Sequence, residues 1–170
     1  MVMLVLPLMA RGSRGLLIWG EGTGRGGRVP VAVRSIGGVG GSHVPRLNNI
    51  QPSALVERYE QFIGQIDLRD KDDRHVVAAA TACGAQKIVT WNLSDFPNQV
   101  LKAFGIVAKN PDKFMADLII DSIIDVVDVM RATRQRFTAP PMAVEGFFQQ
   151  LNNNRLELTA RQLERYFDLL

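Results

Sequence analysis

Asp73, Asn92 and Asp95 are the residues of this chain whose types and spacing could do chemistry. Asp73 opens an alanine-rich stretch of helical character, and Asn92 and Asp95 lie just past a short apolar run that ends at Trp91. In open α/β sheets, ligands bind where the carboxyl ends of strands meet helix N-termini. One strand and one helix would bring these groups together. Their oxygens are hard donors of the kind Mg²⁺ or Mn²⁺ takes, and such ions keep several waters and bridge to phosphate. An ion held there would activate water and stabilise the charge that develops on phosphate. The plain alternative is that Asp73 caps its helix and Asp95 orders a turn. His75, two residues past Asp73 and with no second histidine near it in sequence, reads as structural. Cys83 is the single cysteine, which leaves no disulfide and no Cys-based zinc site. It reads as a small apolar residue on a helix, in a chain suited to a reducing cytoplasm.

The elements that must position these residues follow from periodicity and punctuation. Leu55, Tyr59, Phe62, Ile63 and Ile66 recur at helical spacing after Pro52-Ser53. The polar stretch from Asp67 to Asp72 is a loop, and Asp72 is placed to cap a helix from about Asp73 to Ala82 that Gly84 stops. Lys87 to Trp91 reads as a buried parallel strand. Pro97 opens a short helix through Phe104 before Gly105, and Ile106-Val107-Ala108 reads as a second strand. Asn110-Pro111-Asp112 starts a longer helical run to about Phe137, with a break expected near Ser122. Pro140-Pro141 ends it, and two short helices are expected near 142–152 and 159–169. Alternating helices and strands define an α/β fold with a parallel sheet and helical additions.

Composition divides the chain. Residues 1–50 hold 11 of the 15 glycines, six arginines, no lysine and one acid, Glu21, for a net charge of about +5. Residues 51–170 carry 14 Lys/Arg against 16 Asp/Glu, about −2. The basic balance therefore belongs to the leader and says little of the folded part. Residues 1–10 are apolar but too short to span a bilayer, and they read as an opening strand or a processed targeting segment. The Arg/Gly segments that follow read as an RNA-binding tail or as sequence not selected to fold. Few aromatics and a mean hydropathy near zero point away from a membrane protein. The domain organisation read from these features is a Gly/Arg-rich leader over 1–48, an α/β core over 49–137 and a helical extension over 138–170.

Two segments carry a family likeness. Asp70-Lys71-Asp72-Asp73-Arg74-His75-Val76-Val77-Ala78-Ala79-Ala80 and Ile88-Val89-Thr90-Trp91-Asn92-Leu93-Ser94-Asp95-Phe96-Pro97 resemble a subgroup of PIN domains, the VapC-type toxins of bacterial toxin–antitoxin systems. Gly105-Ile106, Pro111 to Phe114 and Pro140-Pro141-Met142 resemble that subgroup's tail, so the likeness runs in order over about residues 50–170. The resemblance implies a metal-dependent ribonuclease with a three-layer α/β/α sandwich and a cluster of three or four acids. It implies Asp73 and Asp95 as catalytic carboxylates, and Asp73, Asn92 and Asp95 as ligands of Mg²⁺ or Mn²⁺, with Asn92 standing at the fourth acidic position. It further implies an RNA substrate, a cognate antitoxin, a possible second copy as partner, and a cytoplasmic setting.

The chain departs from that pattern at its start. No aspartate precedes Asp67, and the only glutamate before Glu57 is Glu21, set among glycines. A fold incomplete at the N-terminus is therefore expected, with residues 1 to about 48 read as a shifted frame or a degenerate segment. A ribonuclease by descent is the leading expectation. A non-catalytic remnant that binds protein or RNA is the alternative. Phe147, Phe148, Leu151, Leu163, Tyr166 and Phe167 could dock a partner, although burial in the chain's own core is the plainer expectation.

Overall fold

The computed structural model describes Val56 and Arg58–Leu170, together with the backbone of two short strands, β1 (Leu17–Trp19) and β2 (Pro30–Val31). Readings made on residues 1–10, on Glu21, on the Arg/Gly segments and on the Pro52-Ser53 start signal lie outside the described residues. The described chain divides into two compact units, one ending at Asn110 and one beginning at Pro111.

The first unit is a partial α/β fold. Its helices are α1 (Glu60–Ile63), α2 (Arg74–Ala82) and α3 (Asn98–Leu101), and its later strands are β3 (Lys87–Val89) and β4 (Val107–Lys109). The sheet order is β2-β1-β3-β4. β3 and β4 are parallel, with Ile88 opposite Ala108, as the helix–strand alternation requires. β1 joins β3 antiparallel and pairs antiparallel with β2, so the sheet is mixed beyond that parallel pair.

Burial explains the elements. On α2, Val76, Val77, Ala78, Ala79 and Ala80 are all buried, and small side chains let the helix pack closely. Ile88, Val89, Phe96, Leu101 and Ile106 are buried as well, and most of these join the α2 residues in one cluster with Ile66 and Leu68. Gly84 and Gly105 adopt φ +67° and +68° and end their helices. In each case the residue that follows donates back across the turn, Ala85 N to Ala80 O at 2.8 Å and Ile106 N to Leu101 O at 3.1 Å.

Two local expectations change. Leu55 lies outside the described residues; among those described, the helix inferred from Tyr59, Phe62, Ile63 and Ile66 is the single turn Glu60–Ile63, because Arg58 sits at φ +61°, a conformation no helix can continue through. The cap ahead of α2 is Asp70, not Asp72. Its side chain accepts the backbone N–H of Asp72 at 2.9 Å and starts a 3₁₀ turn over Lys71–Asp73 that leads into the helix.

The second unit is helical: α4 (Pro111–Asp121), α5 (Ile123–Gln135), α6 (Val144–Asn153), α7 (Glu157–Leu163) and a closing 3₁₀ segment over Glu164–Leu169. The break between α4 and α5 falls at Ser122, and Pro111 opens α4, both as the sequence indicates. Phe114, Met115, Met130, Leu151 and Leu163 are among its fully buried side chains. Phe147 is buried too, and the rings of Phe148 and Phe167 stack at 5.7 Å, so the tail aromatics are spent largely inside this unit. Asp112 holds the start of α7 through Leu158 N at 2.9 Å and Thr159 N at 2.8 Å. Arg134 ties Met142 O at 2.6 Å to Leu170 O at 2.9 Å. Among the described residues, no helix is long and apolar enough to cross a membrane.

Candidate functional site

The sequence-derived site residues all fall in the first unit. Asp73 is the last residue of the 3₁₀ turn and stands at the N-cap of α2, yet its side chain makes no capping hydrogen bond to that helix. Capping is therefore not what its carboxylate does. The neighbouring Arg74 reaches Leu68 O at 3.4 Å and lies 3.6 Å from a carboxylate oxygen of exposed Asp67. Nε2 of His75 is buried without a hydrogen-bond partner among the described residues.

Asn92 and Asp95 are brought together. The chain leaves β3 at Thr90, whose backbone N–H still bonds Lys109 O at 3.0 Å and whose side chain is buried. Thr90 Oγ1 accepts the backbone N–H of Asn92 at 3.1 Å, which fixes the first residue of the loop. Leu93–Asp95 then form a 3₁₀ turn that turns the Asp95 side chain back. The amide Nδ2 of Asn92 donates to Oδ2 of Asp95, and Ser94 Oγ donates to Oδ1 of Asn92 at 2.6 Å. Among the described residues, Oδ1 of Asp95 has only a long contact, 3.5 Å, from Ser94 Oγ.

Asp73 is joined to Asn92 through one helix and one strand. α2 passes into β3 through the left-handed turn at Gly84, which reverses the chain. The start of α2 and the end of β3 are thus the two ends of one hairpin-like path, with Asp73 on one and Asn92 on the other.

The donor chemistry is that of a hard cation. Mg²⁺ is commonly held by one or two carboxylates while waters and phosphate supply the remaining oxygens, and carboxylates such as those of Asp73 and Asp95 are donors of that type. A fuller acid cluster is not present: among the described residues, no set of three or more His, Cys, Asp or Glu is grouped to hold a metal ion. Sequence reading missed Thr90 and Ser94. Their hydroxyls matter only once the chain turns at Asn92, and the pattern Thr-x-Asn-x-Ser-Asp was the one signal available.

A partial α/β unit with acids at the end of a parallel strand, followed by a separate helical unit, is the class of protein defined here. Residues 111–165 match the family described as VapC50 C-terminal domain, a range that begins where the second unit begins. A Mycobacterium tuberculosis protein named "Putative ribonuclease VapC50" is 51% identical over 65 residues, 38% of this chain and 38% of its own length. The C-terminal part of the chain is therefore VapC-like. The chain spans 38% of the length of the curated relative it matches. No solved structure matches the chain.

Proposed function

We propose that this chain is a PIN-family ribonuclease of the VapC toxin kind, with Asp73 and Asp95 as its catalytic carboxylates. The observation that carries the reading is the 51% identity over 65 residues to the protein named "Putative ribonuclease VapC50". The loop geometry supports it, since the turn after β3 carries the Asp95 carboxylate with Oδ2 held by Asn92 and Oδ1 only loosely contacted by Ser94. Asp73 and Asp95 would hold Mg²⁺ or Mn²⁺. The bound ion would supply stabilisation of the charge developing on an RNA phosphodiester. The protein's own contribution is to place Asp95 on a turn just past a buried strand and Asp73 at the start of α2. RNA is then the substrate, a cognate antitoxin the partner, and the cytoplasm the setting.

Ribonuclease activity with Mg²⁺ or Mn²⁺, compared between this chain and Asp73→Asn, tests the reading. Metal-dependent cleavage lost on substitution supports it. A folded chain that cleaves nothing with either ion would sink it.

A second reading is a non-catalytic PIN remnant that binds protein or RNA. It is favoured by the shortage of grouped acids among the described residues. RNA binding without cleavage, insensitive to Asp73→Asn, is what that reading expects.

A further inference from the structure

We propose that Asn92 is not a metal ligand but a positioning residue, which orients the Asp95 carboxylate while Ser94 orients Asn92. The inference rests on the ribonuclease reading for its purpose, though not for its geometry.

The amide of Asn92 has one oxygen able to ligate a metal and one NH₂ group that only donates. In this structure Nδ2 faces the Asp95 carboxylate, an acceptor, and Oδ1 receives the Ser94 hydroxyl at 2.6 Å. Turning the amide over would set its oxygen against the carboxylate oxygen, two acceptors with no proton between them. Partner chemistry thus fixes the orientation, and the one ligating side-chain atom of Asn92 faces Ser94 while its nitrogen faces the Asp95 carboxylate. The backbone of Asn92 is itself anchored on buried Thr90, so the chain of contacts runs from the sheet to the carboxylate.

Magnitude separates orientation from stability as the purpose. Asn92 and Ser94 are exposed, and hydrogen bonds between solvated groups add little to folding. What the contact does accomplish is to restrict the carboxylate: Oδ2 is held by the amide, leaving Oδ1 the freer oxygen for a cation. An acid at position 92 would repel Asp95, whereas the amide binds it. Partners of this second kind typically change metal affinity by about 10- to 100-fold when removed.

The experiment uses the full chain and two readouts. The first is the Asn92 side-chain NH₂ resonance in the metal-free protein, and the second is Mn²⁺ binding by calorimetry. Ser94→Ala is expected to move the Asn92 side-chain resonance and to weaken Mn²⁺ by about 10-fold, with Ser94→Thr restoring both. Asn92→Ala should weaken Mn²⁺ by a similar factor, and adding Ser94→Ala to it should cost nothing further. Mn²⁺ binding lost in Asn92→Ala but unchanged in Ser94→Ala would make Asn92 a ligand and overturn the proposal. An Asn92 resonance indifferent to both Ser94→Ala and Asp95→Asn would overturn it equally. If the wild-type chain binds no Mn²⁺, the metal-dependent reading fails by itself, and the resonance arm still decides whether the Ser94–Asn92–Asp95 arrangement exists.

Discussion

The carboxylate of Asp112 closes the N-terminus of a helix 47 positions further on, where Oδ1 accepts both the N–H of Thr159 at 2.8 Å and its hydroxyl at 2.7 Å. Oδ2 takes the N–H of Leu158 at 2.9 Å. Thr159 is fully buried, so water cannot replace a lost bond there. An N-terminal acid on α4 thus caps α7, and the two helices are locked in one register.

Asp112→Ala should lower the stability of the second unit by about 2 kcal/mol, the sum expected of a lost cap and a buried donor left unpaired. Asp112→Asn keeps one acceptor oxygen and should cost less, about 1 kcal/mol. Urea denaturation midpoints of the two variants check the order.

Arg134→Lys should destabilise the same unit by about 1 to 2 kcal/mol, because a single ammonium cannot span the two carbonyls that the guanidinium joins. Those carbonyls belong to Met142 and Leu170, on either side of α6 and α7. Thermal unfolding measures the cost.

Gly84→Ala and Gly105→Ala should each cost about 1 kcal/mol. A Cβ would meet nothing within 4 Å at either position, so the whole penalty comes from the positive φ and none from a clash. Asn in place of Ala should recover part of it, since Asn tolerates this conformation better. Denaturant titration of the Ala and Asn variants separates the two contributions.

Cys83 gives a pH signature. Burial pushes its thiol above the usual 9.0, against smaller opposing contacts from the backbone. The folded chain therefore binds this proton more tightly than the unfolded chain does. The stabilisation is complete below the unfolded pKa and is lost as pH rises from about 9 through the higher folded value. Stability measured from pH 8 upward should fall less steeply in Cys83→Ala than in the wild type, and native Cys83 should alkylate more slowly than the unfolded thiol.

Several features were legible in the sequence because they depend on near neighbours. Gly84 and Gly105 end their helices, Pro111 opens α4, and Ser122 breaks the long helical run, each through a local backbone preference. The apolar run at Ile88 and Val89 gives a buried parallel strand for the same reason. Local pattern failed where a single unusual dihedral intervened. Arg58 at φ +61° cuts the first helix to one turn, and nothing in the spacing of Tyr59, Phe62, Ile63 and Ile66 discloses it.

Residue type and order alone determined that hard oxygen donors sit at Asp73, Asn92 and Asp95, because helix and strand boundaries are encoded within a few residues. Only the tertiary structure decided what each one does. Asp73 is at a helix start without capping it, a distinction that depends on Asp70 having taken the local turn. Asn92 faces Asp95 through its nitrogen and not its oxygen, because the 3₁₀ turn carries Ser94 to the other side of the amide. Asp112 finds Thr159 only when α4 and α7 pack together, a partnership no local pattern can record. Hydrogen bonds are short-ranged and directional, so chain spacing nominates the groups and the packed fold alone assigns their partners.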